Sequence, residues 1–230
     1  MKVLAVVPAR GGSKGIPKKN IRQLAGKPMI SYTLEEAKKS KYLDRVIVST
    51  DDHEIADICR GFGAEVMSRP SEFATDTAPT ELALIHVVET LKNNEGYEAD
   101  AVVTLEPTSP LRTHELIDRC IETLLNTDCD SVISVTETKE CFGRIVDGQF
   151  DYLLKHQRRR RQEREPLYKE SSTVYVTRTE TLIRLRSVIG ERLYAVIASD
   201  DEAIDINTPL DLVIVDAVMQ WKRQGNQSID

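Results

Sequence analysis

The sequence predicts an α/β protein of the three-layer α/β/α, Rossmann-like kind: a mostly parallel sheet between helices, with a β-hairpin arm projecting from it. Three observations carry this expectation. Short apolar runs alternate with amphipathic stretches of helical length through the first two thirds of the chain, the pattern of strand–helix–strand units. The first run, Val3–Val7, empties into Pro8-Ala9-Arg10-Gly11-Gly12-Ser13-Lys14-Gly15-Ile16-Pro17-Lys18-Lys19-Asn20, a loop dense in glycine and cation. Ligand loops of such folds follow the carboxyl ends of strands. The alternation then breaks near Cys141, where Asp147-Gly148 between two β-like runs marks a tight hairpin.

Taken in order, Val3–Val7, Arg45–Ser49, Ala64–Met67, Ala101–Leu105 and Ser131–Val135 are expected strands. Met29–Ser40, Asp52–Gly61, Thr80–Asn93 and Thr113–Asn126 are expected helices. The last of these starts behind Pro110 and places Leu116, Ile117, Ile121, Leu124 and Leu125 on one face. Arg144–Val146 and Phe150–Leu154 form the hairpin, and the arginine run Arg158–Arg161 follows it. The regular pattern resumes with a strand at Ser172–Thr177, a helix at Glu180–Arg186, a strand at Leu193–Ile197 and a final helix from Thr208 to about Lys222. The organisation expected is a core of residues 1–137 and 171–230 carrying an insertion at 138–170. Such an insertion commonly serves an oligomer interface or reaches over a ligand.

At 230 residues the chain suits one domain with a substantial core, and 40% hydrophobic with 30% charged residues is ordinary for a soluble protein. A net charge of −6 argues against general nucleic-acid binding, yet leaves room for a small anionic substrate because the cations are concentrated locally. No apolar run reaches the length of a membrane span, and the first residues lack a signal-peptide pattern. Cys59, Cys120, Cys129 and Cys141 show no Cys-x-x-Cys spacing, so the expectation is a cytoplasmic protein with reduced thiols. The four histidines are scattered, which speaks against a zinc centre.

The first loop is built to meet a polyphosphate. Glycines let the main chain approach an anion and present N–H groups to it, while Arg10, Lys14, Lys18 and Lys19 supply charge-assisted contacts. It is neither of the two better-known phosphate loops. It lacks the Gly-Lys-Ser/Thr ending of a P-loop, and Ile16-Pro17 interrupts the helix that a dinucleotide fingerprint would open. Further candidate groups follow other strand ends: Thr50-Asp51-Asp52, Ser68-Arg69-Pro70, Thr75-Asp76-Thr77-Ala78-Pro79-Thr80 and Glu106-Pro107-Thr108-Ser109-Pro110-Leu111-Arg112. Near the end of the chain, Asp205 and Asn207 share one side of an extended segment and could hold a hard cation such as Mg²⁺. Asn207 or Thr208 could equally cap the last helix, with Pro209 in its first turn. The arginine run reads as a solvated cluster, an import signal or a nucleic-acid patch, and its place in a projecting arm favours one or two arginines facing a carboxylate or phosphate.

With these loops in order, the chain resembles the acylneuraminate cytidylyltransferase family, enzymes that activate nine-carbon α-keto acid sugars as CMP-sugars. The resemblance is carried by the Pro8–Asn20 loop, Val48-Ser49-Thr50-Asp51, Arg69-Pro70, Asp76-Thr77-Ala78, Pro107-Thr108-Ser109-Pro110-Leu111-Arg112, Arg161-Gln162 and Asp205-Ile206-Asn207. It implies that Arg10, Gly11, Gly12, Ser13, Lys14, Lys19 and Asn20 hold the CTP triphosphate and ribose. Backbone around Ala9, Ala78 and Thr80, with Asp76 nearby and the Arg69 side chain, would read cytosine. Glu106, Thr108, Ser109, Arg112, Arg161, Gln162, Ser171 and Tyr175 would face the sugar. Asp205 and Asn207 would hold Mg²⁺, and Arg10, Lys14, Lys19 and Asp205 would do the catalytic work. The resemblance also implies a nucleotidyltransferase-like fold and a homodimer whose projecting arm, a dimerisation element, helps shape its partner's sugar site.

Three positions depart from the family pattern. Glu106 stands where the family commonly has glutamine, Ser171-Ser172-Thr173-Val174-Tyr175 replaces Asn-Gly-Ala-Ile-Tyr, and Asn207 replaces the second aspartate of an Asp-x-Asp pair. The competing expectations are a cytidylyltransferase for the eight-carbon sugar 3-deoxy-manno-octulosonate and a non-catalytic nucleotide-binding homologue. The residues name no general base.

Overall fold

The computed structural model describes residues 1–13, 15–154 and 160–224. Along the chain come β1 (Val3–Pro8), β2 (Gln23–Leu24), β3 (Lys27–Pro28), α1 (Met29–Lys39), β4 (Arg45–Thr50), α2 (His53–Gly61), β5 (Glu65–Ser68), α3 (Thr80–Glu95) and β6 (Ala101–Thr104). They are followed by α4 (His114–Asn126), β7 (Ser131–Thr138), β8 (Gly143–Val146), β9 (Gln149–Tyr152), β10 (Leu167–Arg178), α5 (Thr179–Leu185), β11 (Leu193–Ile197) and α6 (Pro209–Arg223).

Seven strands form one sheet in the order β11-β7-β10-β6-β1-β4-β5. The pairs β1–β4, β1–β6, β4–β5 and β7–β11 are parallel, whereas β10 runs antiparallel to both β6 and β7. Strand β1 explains why an uninterrupted apolar run was needed. Val3, Ala5 and Val7 point to one face, packing with Ile30 and Leu34 of α1, Ile55 of α2 and Leu116, Ile117 and Ile121 of α4. Leu4 and Val6 point to the other, against Leu84, Val87, Val88 and Leu91 of α3 and Leu182 of α5. Successive side chains alternate faces, and helices cover both, so every position must be apolar. Sheet and helices make the three expected layers.

Helix starts follow the expected chemistry. The Asp52 carboxylate accepts from Ile55 N at 3.0 Å and the Thr113 hydroxyl from Leu116 N at 3.2 Å. At α6 the capping residue is Thr208: its hydroxyl accepts from Asp211 N, and the Asp211 carboxylate accepts from Thr208 N at 2.7 Å. Pro209 occupies the first helical position, where a missing N–H costs nothing. Val215 and Met219 of α6 then bury against Ile16, Leu24, Met29 and Ile206, so the last helix clasps the end of the glycine loop.

Between β7 and β10 the structure differs in detail from the sequence expectation. The β8–β9 hairpin turns on Asp147 and Gly148, both at positive φ (49° and 78°), as a tight Asp-Gly turn requires. Its second strand ends at Tyr152 rather than Leu154. Strand β10 begins at Leu167, five residues before Ser172, and pairs Leu167–Glu170 with Val135–Thr138. That stretch carries Lys169 and Glu170 at the exposed end of the sheet, so apolar content does not announce it. The ladder then shifts register between Glu170 and Tyr175, where Ser172 takes a left-handed φ of 56°. A small β2–β3 hairpin, absent from the sequence expectation, precedes α1. Lys14, Arg158 and Arg159 lie outside the described residues. No helix among the described residues is long and apolar enough to cross a membrane.

Candidate active site

A cleft of about 300 Å³ opens beyond the carboxyl ends of the central strands. The loop after β1 contributes Arg10, Gly12, Ser13, Lys19 and Asn20; the segment between β5 and α3 contributes Arg69, Asp76, Ala78 and Thr80; the loop after β6 contributes Glu106 and Thr108. Residues distant in sequence and expected to hold a nucleotide therefore line one space. Gly11 lies behind the lining, its N–H donating to the Asp51 carboxylate at 2.9 Å. A Cβ at Gly11 would sit 2.6 Å from Asp52 Oδ2 and 2.8 Å from Asp52 Cβ, so no side chain fits. Ala9 is likewise behind the cleft, its N–H donating to Ser49 O at 2.9 Å.

The cations in the cleft are held by the framework. Arg10 Nη1 meets Asp76 Oδ1 at 2.7 Å, and Asn20 Nδ2 donates to Arg10 O at 2.9 Å. Lys19 Nζ donates to Ile206 O at 3.0 Å, tying the glycine loop to the segment before α6. Arg69 is 7% exposed; its Nε donates to Ser49 Oγ (3.1 Å) and its Nη2 to Ser49 O (2.7 Å). Burial lowers the Arg69 pKa while Asp51 and Glu106 pull it back.

A second, larger cavity of about 590 Å³ lies between β7, β10 and the segment before α6. Of the residues expected at the sugar it contains Arg161 and Ser171, together with Asp205 and Asn207. Ser171 Oγ is 2.6 Å from Ser134 Oγ, which joins β10 to β7. The remaining expected sugar residues lie elsewhere. Glu106 and Thr108 line the first cleft, and Tyr175, bound through its hydroxyl to the Glu170 carboxylate, lines neither space. Gln162 sits exposed in the one-turn helix Arg161–Glu163.

Ser109 and Arg112 are buried in the framework, outside both linings. The Arg112 guanidinium donates to Thr173 O (2.8 Å), Thr33 Oγ1 (3.2 Å) and Glu106 O, so it braces the loop after β6 against β10 and α1. Sequence pattern alone cannot separate such a brace from a ligand-binding arginine, because both use the same donor fork.

The loop after β6, which lines the first space, touches the segment before α6, which lines the second: Ile206 N donates to Thr108 O at 2.8 Å. Burial, reinforced by the Asp205 carboxylate, pushes the Glu106 carboxyl up to about 7, against the pull of Arg112, Arg69 and Lys19. Asp205 Oδ2 accepts from Asn207 Nδ2 at 2.7 Å, while Asp205 Oδ1 is buried with no hydrogen-bond partner. A buried carboxylate oxygen without a donor, next to an amide and electrostatically coupled to a second carboxylate, is a donor set suited to a hard divalent cation. Sequence reasoning missed Phe73, which lines the first cleft and packs edge-on against His86 at 5.9 Å between centroids. Nothing in its immediate sequence marks it. It also missed the acidic character of the second cavity, where Glu137, Glu140, Glu170, Asp200 and Asp211 stand against Arg161 and Lys169.

Residues 4–194 match the family described as Cytidylyltransferase. The chain belongs to the cytidylyltransferase family. This cytidylyltransferase is 33% identical to the CMP-N,N'-diacetyllegionaminic acid synthase of Legionella pneumophila, over 98% of its own length and 99% of the relative's. It is 31% identical to the pseudaminic acid cytidylyltransferase of Campylobacter jejuni over 76% of this chain and 78% of that one. It is 32% identical to the N-acylneuraminate cytidylyltransferase of Streptococcus agalactiae over 94% of this chain, and spans 52% of that longer protein. Among solved structures, a CMP:2-keto-3-deoxy-manno-octonic acid synthetase complexed with CTP superposes with a TM-score of 0.73 at 19% identity, covering 96% of this chain and all of that one. The likeness at that identity is one of fold.

Proposed function

We propose that this cytidylyltransferase joins the CMP moiety of CTP to a nine-carbon α-keto acid sugar of the sialic, legionaminic or pseudaminic type, releasing pyrophosphate. The observation that carries the reading is the pair of adjoining spaces. One is a glycine–cation cleft suited to a nucleoside triphosphate; the other is a larger polar cavity, linked to it through the Thr108–Ile206 hydrogen bond. Near full-length likeness to a CMP-N,N'-diacetyllegionaminic acid synthase supports the sugar class. The eight-carbon alternative rests on fold likeness alone.

Nucleotidyl transfer asks for positioning and charge neutralisation rather than covalent chemistry. In this reading Arg10, Ser13 and Lys19, with Lys14 and the amides of the glycine loop, hold the phosphates, and Arg69 with the backbone near Ala78 and Thr80 faces the base. Arg161 and Lys169 are the cations of the second cavity suited to the acceptor's carboxylate. Asp205 and Asn207 would hold Mg²⁺, which supplies Lewis-acid charge at the phosphates when bound. We assign residues 138–170 to a dimerisation arm. The hairpin's Ile145, Val146, Phe150 and Tyr152 are all more than half exposed, a patch that a second subunit would cover. We place the protein in the cytoplasm, where CTP and reduced thiols are found.

The test is pyrophosphate release from CTP and Mg²⁺ with a panel of keto-acid sugars. Release with one or more nine-carbon acids is expected. No release with any of them refutes the assignment.

A further inference from the structure

The Glu106 side chain is half-buried in the wall of the first cleft. No hydrogen bond or ion pair reaches it from the described residues. The three cations around it are already committed: Arg112 to Thr173 O, Thr33 Oγ1 and the Glu106 backbone, Arg69 to Ser49, and Lys19 to Ile206 O. After burial itself, the group that most disfavours the charge on Glu106 is another carboxylate, Asp205. Asp205 is itself incomplete, because Oδ1 is buried with no donor while Oδ2 is taken by Asn207.

The two carboxylates come from different segments, and their relative position is set rather than left to rotamer drift. Ile206 N donates to Thr108 O and Lys19 Nζ donates to Ile206 O, so the segment before α6 is pinned to both the loop after β6 and the glycine loop. Arg112 fixes the backbone of Glu106 itself. Two like charges that perturb each other, each short of a donor, are costly where water is scarce. A divalent cation removes that cost. Hard cations take oxygen ligands, and Mg²⁺ typically keeps waters and phosphate oxygens beside one or two protein carboxylates.

We propose that Glu106 is a ligand of the catalytic divalent cation, which it holds together with Asp205 across the junction of the two spaces. The second carboxylate of the site thus comes from the loop after β6, beside Asp205 and Asn207, whose amide nitrogen donates to Asp205 Oδ2. The inference takes the physiological cation from the cytidylyl-transfer reading, but its test involves no turnover.

The experiment is a Mn²⁺ titration of the full nucleotide-free chain, followed by the electron paramagnetic resonance signal of free Mn²⁺. It is run in a His114→Ala background, because Glu36, His114 and Glu115 form a separate cluster able to bind a metal. The expected result is a Mn²⁺ site displaced by excess Mg²⁺, weakened tenfold or more by Glu106→Gln and by Asp205→Asn, and partly recovered by Glu106→Asp. Circular dichroism establishes that Glu106→Gln, which keeps the side-chain volume, is folded. Should it not fold, the comparison passes to Glu106→Asp, for which unchanged affinity overturns the proposal. A wild-type chain that takes up no displaceable Mn²⁺, or a folded Glu106→Gln chain that binds Mn²⁺ as the wild type does, also overturns it. CTP affinity measured by calorimetry without metal is the separate readout for the nucleotide assignment. Loss of CTP binding with an intact Glu106-dependent Mn²⁺ site would refute that assignment and leave this one standing.

Discussion

Replacing Glu106 by glutamine should stabilise the metal-free protein, and only above acidic pH. The carboxyl ordinarily titrates at 4.5 and is pushed up to about 7 in the folded chain, first by burial and then by Asp205. Between those values the unfolded chain has released the proton while the folded chain retains it. The folded state therefore binds more protons, and stability falls as pH rises from 4.5 through 7. At about 1.4 kcal/mol per pH unit, the difference amounts to at most about 3 kcal/mol, and water reaching the carboxylate from the cleft reduces it. Glutamine mimics the protonated form and carries no such penalty. Urea unfolding with a chelator present, compared at about pH 4 and about pH 8.5, reads the effect. The two proteins should be nearly equal at the lower pH, with the variant up to about 3 kcal/mol more stable at the higher. Stability curves that stay parallel across that range would refute the reasoning, because the carboxyl would then titrate alike in the folded and unfolded chains.

Three further outcomes follow from the geometry. Arg112→Ala leaves the Thr173 and Glu106 carbonyls and the Thr33 hydroxyl without their donor, and should cost about 3–5 kcal/mol, read as a lowered unfolding midpoint. Gly11→Ala drives a methyl into Asp52 and should cost about 1–3 kcal/mol while weakening CTP binding measured by calorimetry; unchanged affinity and stability would contradict the close approach. The thiols of Cys59 and Cys120 are pushed up to about 12 by burial, and Cys129 is buried, so a thiol reagent at about pH 8 should label Cys141 alone in the native protein. Labelling of the other three before unfolding would count against that packing.

Much of the layer structure was legible because burial on both faces demands a continuous apolar run. Val3–Val7 has that form, and helices α1 to α4 announce themselves through periodicity and through caps at Asp52 and Thr113. The start of β10 was not legible, because Lys169 and Glu170 pair with β7 at a solvated end where the ladder, and not side-chain burial, holds the strand. The first cleft was legible as a set of loops, since glycine beside clustered cations has few other uses. The division of labour at the Pro107–Arg112 loop was not. Thr108 reaches the cleft while Ser109 and Arg112 turn into the framework, a choice made by which donors the buried carbonyls of Thr173 and Glu106 require.

Read along the chain, the order of residues specified the strand–helix alternation, the glycine- and cation-rich make-up of the first loop and the turn at Asp147-Gly148, because each depends on local backbone and periodic burial. Folding decided what no local pattern contains. It ran β10 antiparallel to both its neighbours in the main sheet, it made Arg112 a brace, and it brought Glu106 within electrostatic reach of Asp205, nearly a hundred residues apart in the chain. Those outcomes arise from packing and from charges meeting in a poorly solvated space, where the cost of an unmatched group depends on its three-dimensional neighbours.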